Sequence, residues 1–162
     1  MKKIKFLLIP LVLSFSVHLC AQKKGESGAY YDYGIRCQGV EMDGTVTLES
    51  YGKGRNLWDA GEQAKKNAVS ALLFNGIKEG NGGCSSDPLL ISSSPETVHE
   101  EYFAAFFADD GPYLEYVSVK DERILRKMKR NAKKSKNMQQ RMVVVRVDRL
   151  GLKKMLRAEN IK

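Results

Sequence analysis

Gly52-Lys53-Gly54-Arg55 sets two glycines among two cations, directly ahead of a stretch patterned as a helix. Backbone N–H groups at a helix N-terminus attract anions, and Lys53 and Arg55 would strengthen that pull. Gly52, Lys53, Gly54 and Arg55 therefore form a candidate anion site, where a periplasmic small-ligand binder or enzyme could act together with the Gly80–Ser86 loop. The dinucleotide fingerprint, however, needs a third glycine where Leu57 stands, and no P-loop Gly-Lys-Ser/Thr follows. A tight turn that requires glycine backbone angles accounts for the pair without any ligand.

His99-Glu100-Glu101 matches half of a metalloprotease helix, but Phe103 occupies the position of the second histidine. An acidic, solvated first helical turn explains it instead. Asp109-Asp110 precedes Gly111, where aspartates serve local turn hydrogen bonds. His18 falls in a segment expected to be removed, leaving His99 as the one mature histidine. No Ser-His-Asp or Cys-His set can be assembled, which weakens histidine acid–base chemistry while leaving carboxylate chemistry open. Two mature cysteines and, counting His18, two histidines argue against a structural zinc site. No metal, cofactor or catalytic residue is expected, and a non-enzymatic role is favoured.

The largest charge feature is the basic run Arg123, Arg126, Lys127, Lys129, Arg130, Lys133, Lys134, Lys136 and Arg141. No aromatic residue interleaves it to stack bases, and export argues further against nucleic acid. Lipid headgroups, acidic glycans or an acidic envelope protein suit it better, and a solvated hairpin tip needs no ligand. Formal net charge is +8, unevenly divided. Gln22–Val119 holds 8 basic and 15 acidic residues; Lys120–Lys162 holds 16 basic and 4 acidic. Such asymmetry suits an anionic partner or surface, or head-to-tail self-association, although the halves could also neutralise each other within one fold.

The front of the chain sets the compartment. Lys2, Lys3 and Lys5 precede an apolar run, Phe6–Val17, too short to span a membrane stably. Residues 1–21 read as a signal peptide cleaved after Ala21. Lipidation at Cys20 is the alternative, disfavoured because Leu19 stands where a small residue is wanted. The expected location is the periplasm or the outer membrane. Export leaves Cys37 and Cys84, which an oxidising compartment allows to pair or leaves as two thiols. Residues 22–34 read as a flexible leader ending in Tyr30-Tyr31-Asp32-Tyr33, suited to a sheet edge or to binding. Residues 35–162 read as one domain.

Within that domain, Ile35–Glu41 and Thr45–Tyr51 are predicted strands joined at Asp43-Gly44. Gly52–Arg55 is expected to end the second strand. Asn56 is the predicted N-cap of a helix reaching about Asn75, with Gly76 beyond it. Leu57, Ala60, Ala64, Ala68, Ala71 and Leu72 share one face of that helix, small enough for close approach to a sheet. Glu62, Lys65 and Lys66 lie toward solvent. Lys78–Ser94 reads as a long loop in which Leu89-Leu90-Ile91 forms a short strand or a plug. Ser94-Pro95-Glu96 opens a second helix whose Val98, Tyr102, Phe103, Phe106 and Phe107 face the core. Tyr113–Lys120 alternates like a strand, Asp121–Arg130 fits either a helical turn or an extended arm, and Asn131–Asn137 is a basic loop. Met142–Val147 is a strand, and Asp148 caps a short last helix carrying Leu152, Met155 and Leu156 inward.

The strand-turn-helix Thr45–Ile77, with its Ser-Tyr-Gly-x-Gly turn and Ala60, Ala64, Ala68 register, resembles the N-terminal domain of bacterial flagellar-assembly protein T and related small envelope lipoproteins. Tyr102–Phe107 and the closing Val-Val-Val-Arg-Val-Asp-x-Leu-x-Leu are similar to small secreted bacterial proteins with this layout. The resemblance implies an α+β fold, an envelope location and a binding or assembly role. It carries no catalytic residues. The fold expected is α+β: an antiparallel or mixed sheet of about four strands, with two main helices and a short C-terminal helix packed on it.

Overall fold

The computed structural model describes residues 34–80, 82–91, 95–120 and 138–161. It is an α+β fold built on a mixed sheet of five strands, one more than expected, in the order β3-β1-β2-β5-β4. The strands are β1 (Arg36–Val40), β2 (Thr45–Gly54), β3 (Glu79–Gly80), β4 (Val117–Val119) and β5 (Gln139–Asp148). The extra strand is β3, two residues that run parallel to β1. It is too short to leave a period in the sequence. The other pairings are antiparallel. Asp43-Gly44 makes the β1–β2 turn, with Gly44 at φ +83° and the Asp43 carboxylate accepting from Thr45 N–H at 2.8 Å.

β2 does not end at Gly52. It runs through Gly54, pairing residue for residue with β5 from Thr45↔Asp148 to Gly54↔Gln139. Val46, Leu48, Ser50, Gly52 and Gly54 of β2 are buried beneath helix α1 (Leu57–Ser70). The two glycines are what permits this. A Cβ on Gly52 would run into Ala60 O and Ala64 N, and one on Gly54 into Ala60 N. Ala60, Ala64 and Ala68 are fully buried, so the contact is small against small. Ser50 Oγ donates to Ala64 O at 2.7 Å, and Asn67 Nδ2 donates to Tyr51 O at 2.7 Å, tying the helix to the strand.

Two expectations about α1 are corrected. Leu57 shares the alanine face by spacing, but as the first residue of the helix it is 40% exposed rather than packed. Glu62, Lys65 and Lys66 are not solvated. Lys66 is only 9% exposed, laid over the Tyr113 ring and paired with Asp109 at 2.9 Å. Lys65 lies over Trp58 and pairs with Glu62 at 2.8 Å. Long aliphatic stems cover apolar surface while the ammonium finds a carboxylate.

After Ser70 the helix widens into a π turn, Ala71–Asn75, closed by Gly76 N–H on Ala71 O. Widening redirects the last carbonyls, which must find donors elsewhere. Leu89 N–H bonds Leu72 O and Leu90 N–H bonds Leu73 O, at 2.9 Å each. The long loop is therefore a plug, with Leu90 buried and Ile91 outward. Gly76 has positive φ (+70°) but an extended ψ of 170°, the conformation that lets Ser86 pass against it.

The expected second helix is split at His99 into α2 (Pro95–Val98) and α3 (Glu100–Phe106). Val98 consequently points outward, 70% exposed, while Phe103, Phe106 and Phe107 are buried. Phe103 meets Phe74 edge to face, centroids 4.9 Å apart, joining this segment to the end of α1. The predicted strand over Tyr113–Lys120 shrinks to β4. Pro112–Tyr116 is a 3-10 turn, opened by the fixed φ of Pro112 and anchored by buried Tyr113. Val143, Val145 and Val147 of β5 are buried and Val144 is half-buried on the opposite face. Asp148 caps α4 (Arg149–Ala158) by accepting from Gly151 N–H at 2.8 Å. Asn160, at φ +54°, ends it with Ile161 N–H on Leu156 O and Asn160 N–H on Arg157 O.

Candidate functional site

The anion site suggested by the sequence must be judged at the N-terminus of α1. Asn56 Oδ1 accepts from both Trp58 N–H and Asp59 N–H at 2.9 Å, and Ala60 N–H bonds Asn56 O at 3.0 Å. The Asp59 carboxylate, held by Asn56 Nδ2 at 2.9 Å, already supplies negative charge to that turn. The donors an incoming anion would need are therefore engaged within the chain. Gly52 and Gly54 are strand residues facing α1, and alternation turns Lys53 to the other face of the sheet. Arg55 is exposed beyond the strand end. The structure thus brings the four residues together in sequence only, and gives the glycines a packing role.

Of the basic run, Arg141 lies on β5 opposite Gly52, half-buried on the α1 side. Arg123, Arg126, Lys127, Lys129, Arg130, Lys133, Lys134 and Lys136 lie outside the described residues, as do the segment expected to be a signal peptide, the expected leader up to Tyr33, Ser94, the ambiguous Asp121–Arg130 stretch and the Asn131–Asn137 loop. Topology still fixes where that basic stretch departs and returns. It leaves from Lys120, beside Val144, and re-enters at Met138, ahead of β5.

Cys37 on β1 and Cys84 in the plug loop form a disulfide, Cα atoms 5.8 Å apart, and Cys84 N–H also reaches Cys37 Sγ at 3.2 Å. The bond fastens the sheet edge to the segment that completes the helix end. Among the described residues, no three His, Cys, Asp or Glu side chains are grouped to hold a metal ion, and no helix is long and apolar enough to cross a membrane.

The sheet face away from α1 is a surface that sequence reasoning saw only in the alternation of β2. It carries Thr45, Thr47, Glu49, Tyr51 and Lys53 from β2, Gln140, Met142, Val144, Arg146 and Asp148 from β5, and Ser118 from β4. None of these residues is buried. Tyr51 stands opposite Met142 and Glu49 opposite Val144. Gln38 Nε2 donates to Glu49 at 2.6 Å. Toward the β1–β2 turn the face becomes acidic around a shallow depression of about 290 Å³, lined by Glu41, Asp43, Glu115, Tyr116, Arg146 and Asp148 among others. Glu41 is engaged, accepting from Arg146 Nε at 2.9 Å and from Thr47 Oγ1 at 3.2 Å. The Asp43 carboxyl is held below its ordinary range, chiefly by the Thr45 backbone N–H. A carboxylate held ionised suits attraction of cations rather than proton transfer. The signal for this face was present in β5, where Met142, Val144, Arg146 and Asp148 alternate with the valines. It becomes visible only once β5 is known to pair with β2 along its whole length.

A second cluster sits on the outer flank of α1. Lys66 bonds Asp109, and Tyr113 OH reaches Glu62 at 3.4 Å. Lys66 holds the exposed Asp109 carboxyl low, while burial and then Glu62 push the Tyr113 hydroxyl well above its usual range. These shifts favour a charged acid and a neutral phenol, and the contacts cement the 3-10 turn to α1. Comparison with protein families, curated proteins and solved structures finds no match for this chain.

Proposed function

We propose that this protein is an exported cell-envelope module with a binding or assembly role and no catalysis, whose basic C-terminal region contacts an anionic partner or surface. The observation that carries the reading is the placement of charge. Seventeen residues, Asp121–Asn137, hold eight cations and two acids, and they connect the ends of two adjacent strands. A cationic stretch tethered at both ends to a rigid sheet loses less freedom on docking than a free tail would. The signal-like front end and the Cys37–Cys84 disulfide support the compartment, since such bonds persist where thiols are oxidised. The anion-site alternative at Gly52–Arg55 draws no support from the capped helix start.

The reading is tested by cosedimentation of the processed protein with vesicles of anionic lipid and with envelope fractions, at low and high salt. Binding that falls with salt and is lost when Arg126, Lys127, Lys129 and Arg130 become Gln is the expected result. Wild type and the Gln variant behaving alike at low salt would count decisively against it.

A further inference from the structure

The open sheet face ends in an acidic, shallow groove, and the cationic stretch leaves the sheet at Lys120, beside Val144, and rejoins it at Met138, the end away from that groove. Asp148 and the β1–β2 turn mark the acidic end, and Met138 marks the other. Ten β5 residues separate them, roughly 30 Å at strand spacing. We propose that the anionic partner of the basic stretch includes a second copy of this chain, which receives Arg123–Lys136 of its neighbour on the acidic end of its open face. This deepens the functional reading above and rests on its premise that the basic region is a contact surface.

Charge is complementary. The groove offers Asp43, Glu115 and Asp148 beyond the Glu41–Arg146 pair, so it is net negative. Its lining also includes Leu114 and Val117, but charge is its dominant character. The incoming stretch supplies the opposite sign, with Arg123, Arg126, Lys127, Lys129 and Arg130 within eight residues. Because the two surfaces are different ones, the contact is heterologous. A copy that docks its basic stretch on one neighbour keeps its own groove open for another, so the assembly grows head to tail or closes as a ring.

The test is sedimentation of the processed protein over a range of concentrations, with charge reversals at each surface. Groove reversal is Glu41→Lys with Glu115→Lys; stretch reversal is Arg126→Glu, Lys127→Glu, Lys129→Glu and Arg130→Glu. Wild type should associate at about 50 mM salt and dissociate at about 0.5 M, where screening falls within a few ångströms. Each reversed protein alone should be monomeric, and an equimolar mixture of the two should associate again. That rescue can occur only if both variants are folded. A milder groove variant, Glu115→Gln with Asp43→Asn, should weaken association at least several-fold and guards against loss of fold by reversal. Monomeric wild type at low salt overturns the proposal, as does association untouched by the groove variants. If that monomer still binds anionic vesicles, self-association alone fails and the wider functional reading stands.

Discussion

The two faces of the sheet are made from the same two strands and could hardly differ more. On one face β2 presents Val46, Leu48, Ser50, Gly52 and Gly54, tapering from branched side chains to none, and α1 descends along that taper until Ala60 touches strand backbone. On the other, Thr47, Glu49, Tyr51 and Lys53 stand in full size, with no buried residue among them. One face is specified to within a methyl group and admits one occupant. The other is specified only in charge and polarity, which suits an occupant from outside the fold. Period-two alternation places both programmes in one stretch of chain.

Breaking the covered side should cost far more than altering the open one. Removing the disulfide by Cys37→Ala with Cys84→Ala frees a loop closed over 47 residues and should lower stability by about 4 kcal/mol on the chain-entropy view, read by urea unfolding. Gly52→Val drives a side chain into Ala60 and Ala64 backbone, at or beyond the upper end of the ~1–3 kcal/mol typical of overpacking, with a matching loss in melting temperature. Ser50→Ala removes the hydroxyl bonded to Ala64 O and should cost about 1 kcal/mol. Met142→Ser on the open face should stay within about 0.5 kcal/mol while leaving the fold intact by circular dichroism. The smallest effect is acidic. Asp109 has a folded pKa below the ordinary 3.8, so its contribution is present above that value and is lost as pH falls through the lowered one. Asp109→Asn should therefore flatten the stability profile below about pH 4, modestly, since the carboxyl is exposed.

Much of the covered side was legible. The Asn56 cap, the alanine register, the Asp43-Gly44 turn and the aromatic core each have a local chemical signature. The failures were tertiary. Gly52-x-Gly54 was read as a break because glycine is locally a breaker, whereas here it is a spacer whose need arises from a helix elsewhere in the chain. Lys66 was assigned to solvent by type, but Tyr113 and Asp109, more than forty residues on, make its burial favourable. Pro112 outweighed the alternation behind it. Of the open face only the β2 half was legible, in the alternation of Thr45, Thr47, Glu49 and Tyr51; which β5 residues join it depends on the β2–β5 register, and no short-range signal carries that.

The most direct test of an occupied face and an open one is thiol labelling of two single-cysteine additions, Met142→Cys and Val145→Cys, neighbours on β5 that point to opposite sides. At low concentration and high salt, with the native disulfide kept, Cys at 142 should react within about tenfold of an unfolded control, and Cys at 145 only as fast as the protein opens. Equal protection at both positions would mean that the chain covers its own second face, and would contradict the account.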